Sequence, residues 1–451
     1  MTRTISEILS PQCDHTSHNI VDTFFPEPPQ TLEQTGLNKT FVEDLICKLL
    51  LAAGSMTGLE LARRLGLDLR IFSDLLHDLK LRLILAYQAT SGINDFHYIL
   101  TETGKQKALL AREQSGYLGT AAVPFQDYLL SIEKQSISSE QPGLQQLQIA
   151  FEGLVLSADV LDLLGPAVNS GRGLFLYGAA GNGKTEVAIR IAKCFSQSVY
   201  IPRAIIVEGQ IIQLYDPQCH KAIAAADPAG HKKYDQRWVK IERPAVVVGG
   251  EMDLDSLEIG YNSQTKISEA SLQLKGNGGI FVIDDFGRQL VVPEQLLNRW
   301  ILPLEKRIDY LTMPSGNKIM VPFNALLVFC SNLNPGRILD EAMLRRIPYK
   351  IQLTDPSAEE FSTIFQNVVG RLSIAYDSAC IDYLLAEYFR SGRPMRRCHP
   401  RDIAQQLVNI ALYEHRPPRM TRTDLDKALG LYFLAPGRAA ETEELKSLVE
   451  T

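Results

Sequence analysis

The chain has 451 residues, 45% hydrophobic and 22% charged, with a formal net charge of −6. That length holds two or three domains with ample core, and the composition is that of a globular rather than a disordered chain. The acidic balance gives no general affinity for nucleic acid, and the cysteines (Cys13, Cys47, Cys194, Cys219, Cys330, Cys380 and Cys398) form no C-x-x-C pair, so they read as reduced cytoplasmic thiols rather than a disulfide framework or zinc site. The adjacent pairs Cys219-His220 and Cys398-His399 read as ordinary packing residues. The first 30 residues lack a basic start followed by an apolar run, so no secretory signal is expected. No uncharged apolar run reaches the roughly 18 residues that would span a bilayer.

Residues 1–38, with "FFPEPPQ", read as an arm with little structure of its own. From 39 to 115 the pattern tightens. "VEDLICKLLLAAG" and "TGLELARRLGL" are helical, and Ile71, Leu75, Leu76 and Leu79 fall at helical spacing behind Asp68, an expected N-cap. "LILAYQ" and "FHYILT" read as two strands around the turn "SGIND". Three helices and a hairpin are the order of a winged helix, and "YILTETGKQKALL" resembles the wing-to-helix passage of many bacterial winged-helix domains. Residues 116–150 are polar and mixed and read as a linker.

From 151 strands and helices alternate. "GLFLYG", "AIIVEG", "GIFVIDD", "ALLVFCSN" and "YKIQL" are strand-length apolar runs separated mostly by helical segments, the pattern of a parallel sheet covered on both faces. The fold class expected is α/β. After Pro356 the chain reads as fully helical to about 435, a lid over 356–436, and residues 437–451 as a tail.

The chemistry concentrates at "LYGAAGNGKTEVA", which fits G-x-x-x-x-G-K-T. Gly178, Ala179, Ala180, Gly181, Asn182 and Gly183 form a loop whose N–H groups can surround a phosphate, at the positive end of a helix. Lys184 would reach the β- and γ-phosphates of ATP and Thr185 would hold Mg²⁺, with Glu186 in the same helical turn. The second piece, "GGIFVIDDFGR", places Asp284 and Asp285 at the C-terminal end of a strand, where open α/β sheets bind ligands. Asp284 would orient Mg²⁺ through its water and Asp285 would polarise the attacking water.

On these residues the segment 151–435 resembles the AAA+ ATPases. Most relatives carry Glu where Asp285 stands, and Asp is one methylene shorter. "LLVFCSNLNP" resembles the sensor I strand, which implies that Asn332 meets the γ-phosphate or the attacking water. "DEAMLRRIPYKI" resembles the arginine-finger region, with Arg346 as the finger. "CHPRDIAQQLVNIAL" resembles the sensor II helix, with Pro400 in its first turn, Ile403, Leu407 and Ile410 on one face, and Arg401 directed at the phosphates. "EASLQLKGNGGIFVIDD" resembles the passage before the Asp-Asp strand in MoxR-type ATPases, magnesium chelatases and enhancer-binding activators, which share an insertion in the second helix.

About 70 residues lie between "AIIVEG" and the Asp-Asp strand, so the insertion is expected over about 210–278. "PEQLLNRWILPLEKR" reads as an amphipathic helix that Pro303 ends or kinks. "YLTMPSGNKIMVP" reads as the group's presensor I hairpin. The G-A-F-T-G-A loop of the activators is absent, and in its place "GGEMDLDSLEIGYNSQTKIS" offers Met252 and Tyr261 as substrate contacts. A finger that works across a subunit boundary implies a ring of identical subunits, commonly a hexamer.

Residues 1–130 hold 11 Lys+Arg against 15 Asp+Glu, a net of −4. A surface that tracks phosphates is basic, which favours protein docking over DNA reading by the winged helix. The resulting expectation is an ATP-hydrolysing machine that remodels a client protein or complex. The alternatives are a DNA-bound regulator of transcription or of a mobile element, and a nucleotide-switched scaffold with weak hydrolysis.

Overall fold

The computed structural model describes residues 24–90, 95–195, 198–223 and 234–433. The first 23 residues of the expected arm, most of the turn at 91–95 and the tail 437–451 lie outside the described residues.

The N-terminal unit begins with α1 (Lys39–Ala53), capped by the Asn38 side chain, which accepts from the Thr40 N–H. Next come β1 (Ser55–Thr57) and α2 (Gly58–Leu65), opened by a reciprocal Thr57–Glu60 capping box. Asp68 caps α3 (Leu69–Leu81) as expected. β2 (Leu85–Thr90) and β3 (Phe96–Leu100) form the hairpin, and β1 adds to β3 on its other side. α4 (Glu102–Gln114), capped by Thr101, packs on α1.

Residues 116–150 are not a linker. They carry β4 (Val123–Pro124), α5 (Phe125–Lys134) and α6 (Leu144–Ala150). Ala121, Ala122, Val123, Tyr128 and Ile132 are buried, and the Ala121 N–H donates to the Leu65 carbonyl. The segment reads as mixed because its apolar residues are interrupted by polar ones, but Tyr128 and Ile132 stand one helical turn apart and face inward together.

α7 (Ala158–Ser170) leads into β5 (Leu174–Tyr177), the phosphate-type loop and α8 (Lys184–Ile191). Four strands follow: β6 (Ser198–Pro202), β7 (Ala204–Val207), β8 (Gln210–Gln213) and β9 (Trp238–Glu242). The chain continues through β10 (Ala245–Val248), the pair β11 (Gly260–Asn262) and β12 (Ile267–Glu269), α9 (Leu272–Lys275) and β13 (Ile280–Ile283).

The main sheet is completed by later strands. α10 (Pro293–Arg299), α11 (Ile301–Lys306), β14 (Ile308–Thr312) and β15 (Lys318–Pro322) precede β16 (Leu326–Ser331), α12 (Glu341–Arg346) and β17 (Tyr349–Gln352). Its order is β10-β13-β16-β5-β17, all parallel. The order reverses at β5, so the loop after it opens where such sheets bind ligands. Alternate residues feed two cores. Leu174, Val282 and Val328 pack on one face, and Phe175, Phe281 and Phe329 on the other.

"AIIVEG" is not a strand of this sheet. As β7 it runs antiparallel to β8 and beside β4, in a second sheet of order β11-β12-β8-β7-β4. The second strand of the parallel sheet is instead "AVVV", β10. A short apolar run states that it is buried, not in which sheet. The extra structure therefore falls in two pieces either side of β10, the strands of 198–242 and the β11–β12 pair, rather than in one block over 210–278.

The part of the arm at 24–38 docks on the first of these pieces. Phe24 lies 5.2 Å from Trp238 between ring centres, the Asp235 N–H donates to the Pro26 carbonyl, and Arg237 donates to the Thr35 carbonyl at 2.9 Å. β14 and β15 form the expected hairpin, turning at Pro314–Gly316. Pro303 interrupts the helix before this hairpin, and the break falls at Trp300. The proline ring meets the carbonyl four residues back, so the distortion lands at Arg299–Trp300. Met252 is 2% exposed in the core and is not available to a substrate, whereas Tyr261 is 51% exposed.

The C-terminal unit is helical: α13 (Ala358–Arg371), α14 (Ser378–Ser391), α15 (His399–Tyr413) and α16 (Arg422–Tyr432). Ile403, Leu407 and Ile410 point into its own core.

Candidate active site

The loop after β5 needs its glycines for space. At Gly178 (φ 142°) a Cβ would sit 2.2 Å from the Leu353 carbonyl oxygen. At Gly181 (φ 83°) it would sit 2.5 Å from the Cys398 sulfur. Both have positive φ, which L side chains avoid. The loop is thereby pressed between β17 and the start of α15.

Lys184, the first residue of α8, is 7% exposed. Its Nζ donates to the carbonyls of Gly178 (3.0 Å) and Ala179 (3.1 Å) and to Asn332 Oδ1 (2.8 Å). Burial pulls its ammonium below the ordinary lysine value, opposed by Asp284 and Asp285. Asn332, at the end of β16, turns its amide NH₂ to Asp285 Oδ1 at 3.0 Å. Thr185 Oγ1 donates to Asp284 Oδ2 at 2.8 Å. Lysine, asparagine, threonine and both aspartates thus form one hydrogen-bonded group across three adjacent parallel strands.

Asp285 holds φ 48°, which costs on the order of 1 kcal/mol for a non-glycine residue. Asp284 Oδ1 accepts from the Asp285 N–H, and Gln289 Nε2 donates to the Asp284 carbonyl at 3.0 Å, fixing that turn. The Asp285 side chain is exposed above the loop.

The loop and the helical unit enclose a cavity of about 730 Å³, lined on one side by Leu154 to Leu156 and on the other by Ile364 and Val368. Asn182 is buried and ties the two units together. It donates to Asp355 Oδ1 at 2.7 Å and accepts from the Arg397 N–H at 3.4 Å. The Cys398 N–H donates to the Gly181 carbonyl at 2.9 Å. Arg396 pairs with Asp355. Arg397, its side chain 9% exposed, pairs with Glu360 at 2.9 Å and donates to the Val155 carbonyl at 2.5 Å. Its Nε is buried and has no acceptor among the described residues.

The arginines named from sequence lie elsewhere. Arg401 lines the cavity rim, but its side chain is 74% exposed and paired with Asp402 at 2.9 Å. Arg346 lies outside the cavity of its own chain. It pairs with Glu305 at 2.7 Å, in a separate hollow shared with Arg172, Arg307 and Arg345. Glu186 is half-exposed and pairs with Arg190 one turn along α8. Sequence reasoning missed the interlocking roles of Asn182, Gln289, Arg396 and Arg397. The doubled arginine directly before "CHPRD" was the available signal.

The family described as "Domain of unknown function (DUF8689)" matches residues 357–430, the helical unit. No curated protein matches the chain. Among solved structures, NtrX from Brucella abortus is similar at 14% identity and a TM-score of 0.39, over 64% of this chain and 58% of that one. The same protein in complex with ADP gives 13%, 0.38, 72% and 65%. The Holliday junction branch migration motor RuvB of Thermotoga maritima gives 12%, 0.37, 62% and 70%. The chain thus spans less than two thirds of the length of the NtrX structures it resembles. The fold class is α/β with a parallel five-stranded sheet. Among the described residues no helix is long and apolar enough to cross a membrane.

Proposed function

We propose that the chain is an ATP-binding and ATP-hydrolysing AAA+ protein that remodels a client protein or complex. One observation carries this. On the loop helix, Lys184 donates to Asn332 and Thr185 to Asp284, each at 2.8 Å, and Asn332 in turn donates to Asp285 at 3.0 Å. The donor set suits a magnesium nucleotide. Thr185 Oγ1 and Asp284 supply hard oxygens for Mg²⁺, which when bound offsets charge on the phosphate oxygens. Lys184 would exchange its two loop carbonyls for phosphate oxygens. Asn332 and the exposed Asp285 would place the attacking water and accept its proton.

The N-terminal unit, a winged helix in this reading, recruits the client. Its net charge of −4 over residues 1–130 argues against phosphate tracking. Arg346, away from its own loop, fits a finger supplied to the next subunit of a ring, a hexamer by resemblance.

The test is Mg²⁺-dependent ATP hydrolysis by the full chain. Lys184→Ala is expected to lose ATP binding or turnover while keeping its helical content by circular dichroism. Normal turnover in that variant would refute the assignment.

A further inference from the structure

A second cavity, of about 360 Å³, lies where the N-terminal unit meets the inserted strands. Three turns converge on it: Gly209 between β7 and β8, Lys266 between β11 and β12, and Pro314–Ser315 between β14 and β15. α1 closes the other wall with Lys48. We propose that this cavity binds a small oxyanion, a phosphate ester or a carboxylate, that bridges the N-terminal unit to the three hairpins.

Lys48 carries the argument. It is 5% exposed, yet it forms no ion pair within 4 Å among the described residues, and its Nζ donates to one acceptor, the Ser115 carbonyl at 2.9 Å. An ammonium has three donors. Asp44, one turn earlier on α1, is engaged by Lys107 at 3.4 Å. Asp44 also lines the cavity but lies beyond ion-pair distance and offsets the cost of burying the Lys48 charge only in part, so burial pulls Lys48 down to about 8. An oxyanion in the cavity removes that cost.

The opposite wall repeats the chemistry. Lys266 stands at φ 55° and reaches across to the Glu113 carbonyl at 2.6 Å. The exposed Tyr261, together with Ser268 and Ser315, adds hydroxyls to the lining. The seam is tight beside the cavity: a Cβ on Gly116 would lie 1.9 Å from the Thr265 carbonyl oxygen. The Asn317 amide ties the β14–β15 turn to Glu208 at 2.9 Å. A ligand here touches the recruiting unit and the three hairpins at once and does not touch the Lys184 loop, so it acts as an effector that fixes their mutual placement.

The test uses the full chain carrying Lys184→Ala, so that the loop after β5 does not report anion binding. Inorganic phosphate and succinate are titrated separately against thermal unfolding. Saturable stabilisation by either probe is expected, phosphate alone marking an ester ligand and succinate alone a carboxylate. Adding Lys48→Met, or separately Lys266→Ala, is expected to raise the midpoint concentration about tenfold or more, the loss of a charged hydrogen bond. Lys266 is half-exposed, so its variant is readable even if Lys48→Met fails to fold. Midpoints unchanged in the foldable variants would mean general salt stabilisation and would overturn the proposal, as would the absence of saturable stabilisation by both probes.

Discussion

The hydrogen-bonded group around Lys184 and the arginines named with it are built differently. Asp284, Asp285, Asn332, Lys184 and Thr185 stand at the ends of three adjacent parallel strands or one residue into the following helix, and they touch one another at 2.8–3.0 Å. The arginines belong to no such frame. Arg346 sits in another hollow, Arg401 extends into solvent, and Arg396 and Arg397 are folded into the joint with the helical unit. A strand end fixes a side chain by backbone geometry alone. An arginine on a joint is placed by whatever the two units do, so its role depends on assembly and closure.

The sharpest way to break that contrast is to test Arg346 in trans. If it serves the neighbouring subunit, Arg346→Ala lowers turnover by roughly 10³ to 10⁵, the range of arginine fingers. A surface pair with Glu305 would instead cost little. Mixing decides between the two. Arg346→Ala and Lys184→Ala are each inactive alone. After subunit exchange, turnover partly returns, because one subunit offers an intact loop and the other an intact arginine. Normal activity of Arg346→Ala alone, or demonstrated exchange without recovery, would remove the assignment.

The hydrogen-bonded group comes next in magnitude. Asp285→Asn keeps the shape of the turn and its hydrogen bond with Asn332 after an amide flip, but it cannot accept a proton. Turnover is expected to fall by about 10² to 10⁴, while ATP affinity stays within a few-fold. Equal losses in both would show that Asp285 holds the loop in shape rather than activating water.

What could be read from the sequence follows the same division. The placement of the Gly178–Thr185 loop, the Asp-Asp strand and Asn332 was legible because each is a contiguous pattern whose position is set by local geometry. The three helices and hairpin of 39–100 were legible from caps and periodicity, Asp68 among them. Assignment between sheets was not legible. β7 and β10 are both four-residue apolar strands, and only tertiary pairing decides which one joins the parallel sheet. Nor was the order in 116–150, where the inward residues are interrupted by polar ones and follow no single period. The joint around Asn182, Asp355 and Arg397 spans more than 200 positions, and no local pattern records it.

The smallest effect tests the two arginines of the helical unit against each other. Arg397 is buried, bonded to Glu360 and to the Val155 carbonyl, and holds an Nε donor with no acceptor. Truncating it leaves Glu360 without its partner and opens the joint beside the cavity. Charged hydrogen bonds of this kind contribute about 1.5–3 kcal/mol, so Arg397→Ala should weaken ATP binding by about tenfold to a hundredfold. Arg401 has one exposed partner, Asp402, next to it in sequence, and such pairs contribute about 0–1 kcal/mol. Arg401→Ala should therefore change affinity by less than about fivefold. Both variants belong in one equilibrium titration with a fluorescent ATP analogue, without turnover. If Arg401→Ala proves the more damaging of the two, the helical unit closes further on the ATP analogue than the Asp402 pair implies, and Arg401 regains the phosphate-facing role that the resemblance implies.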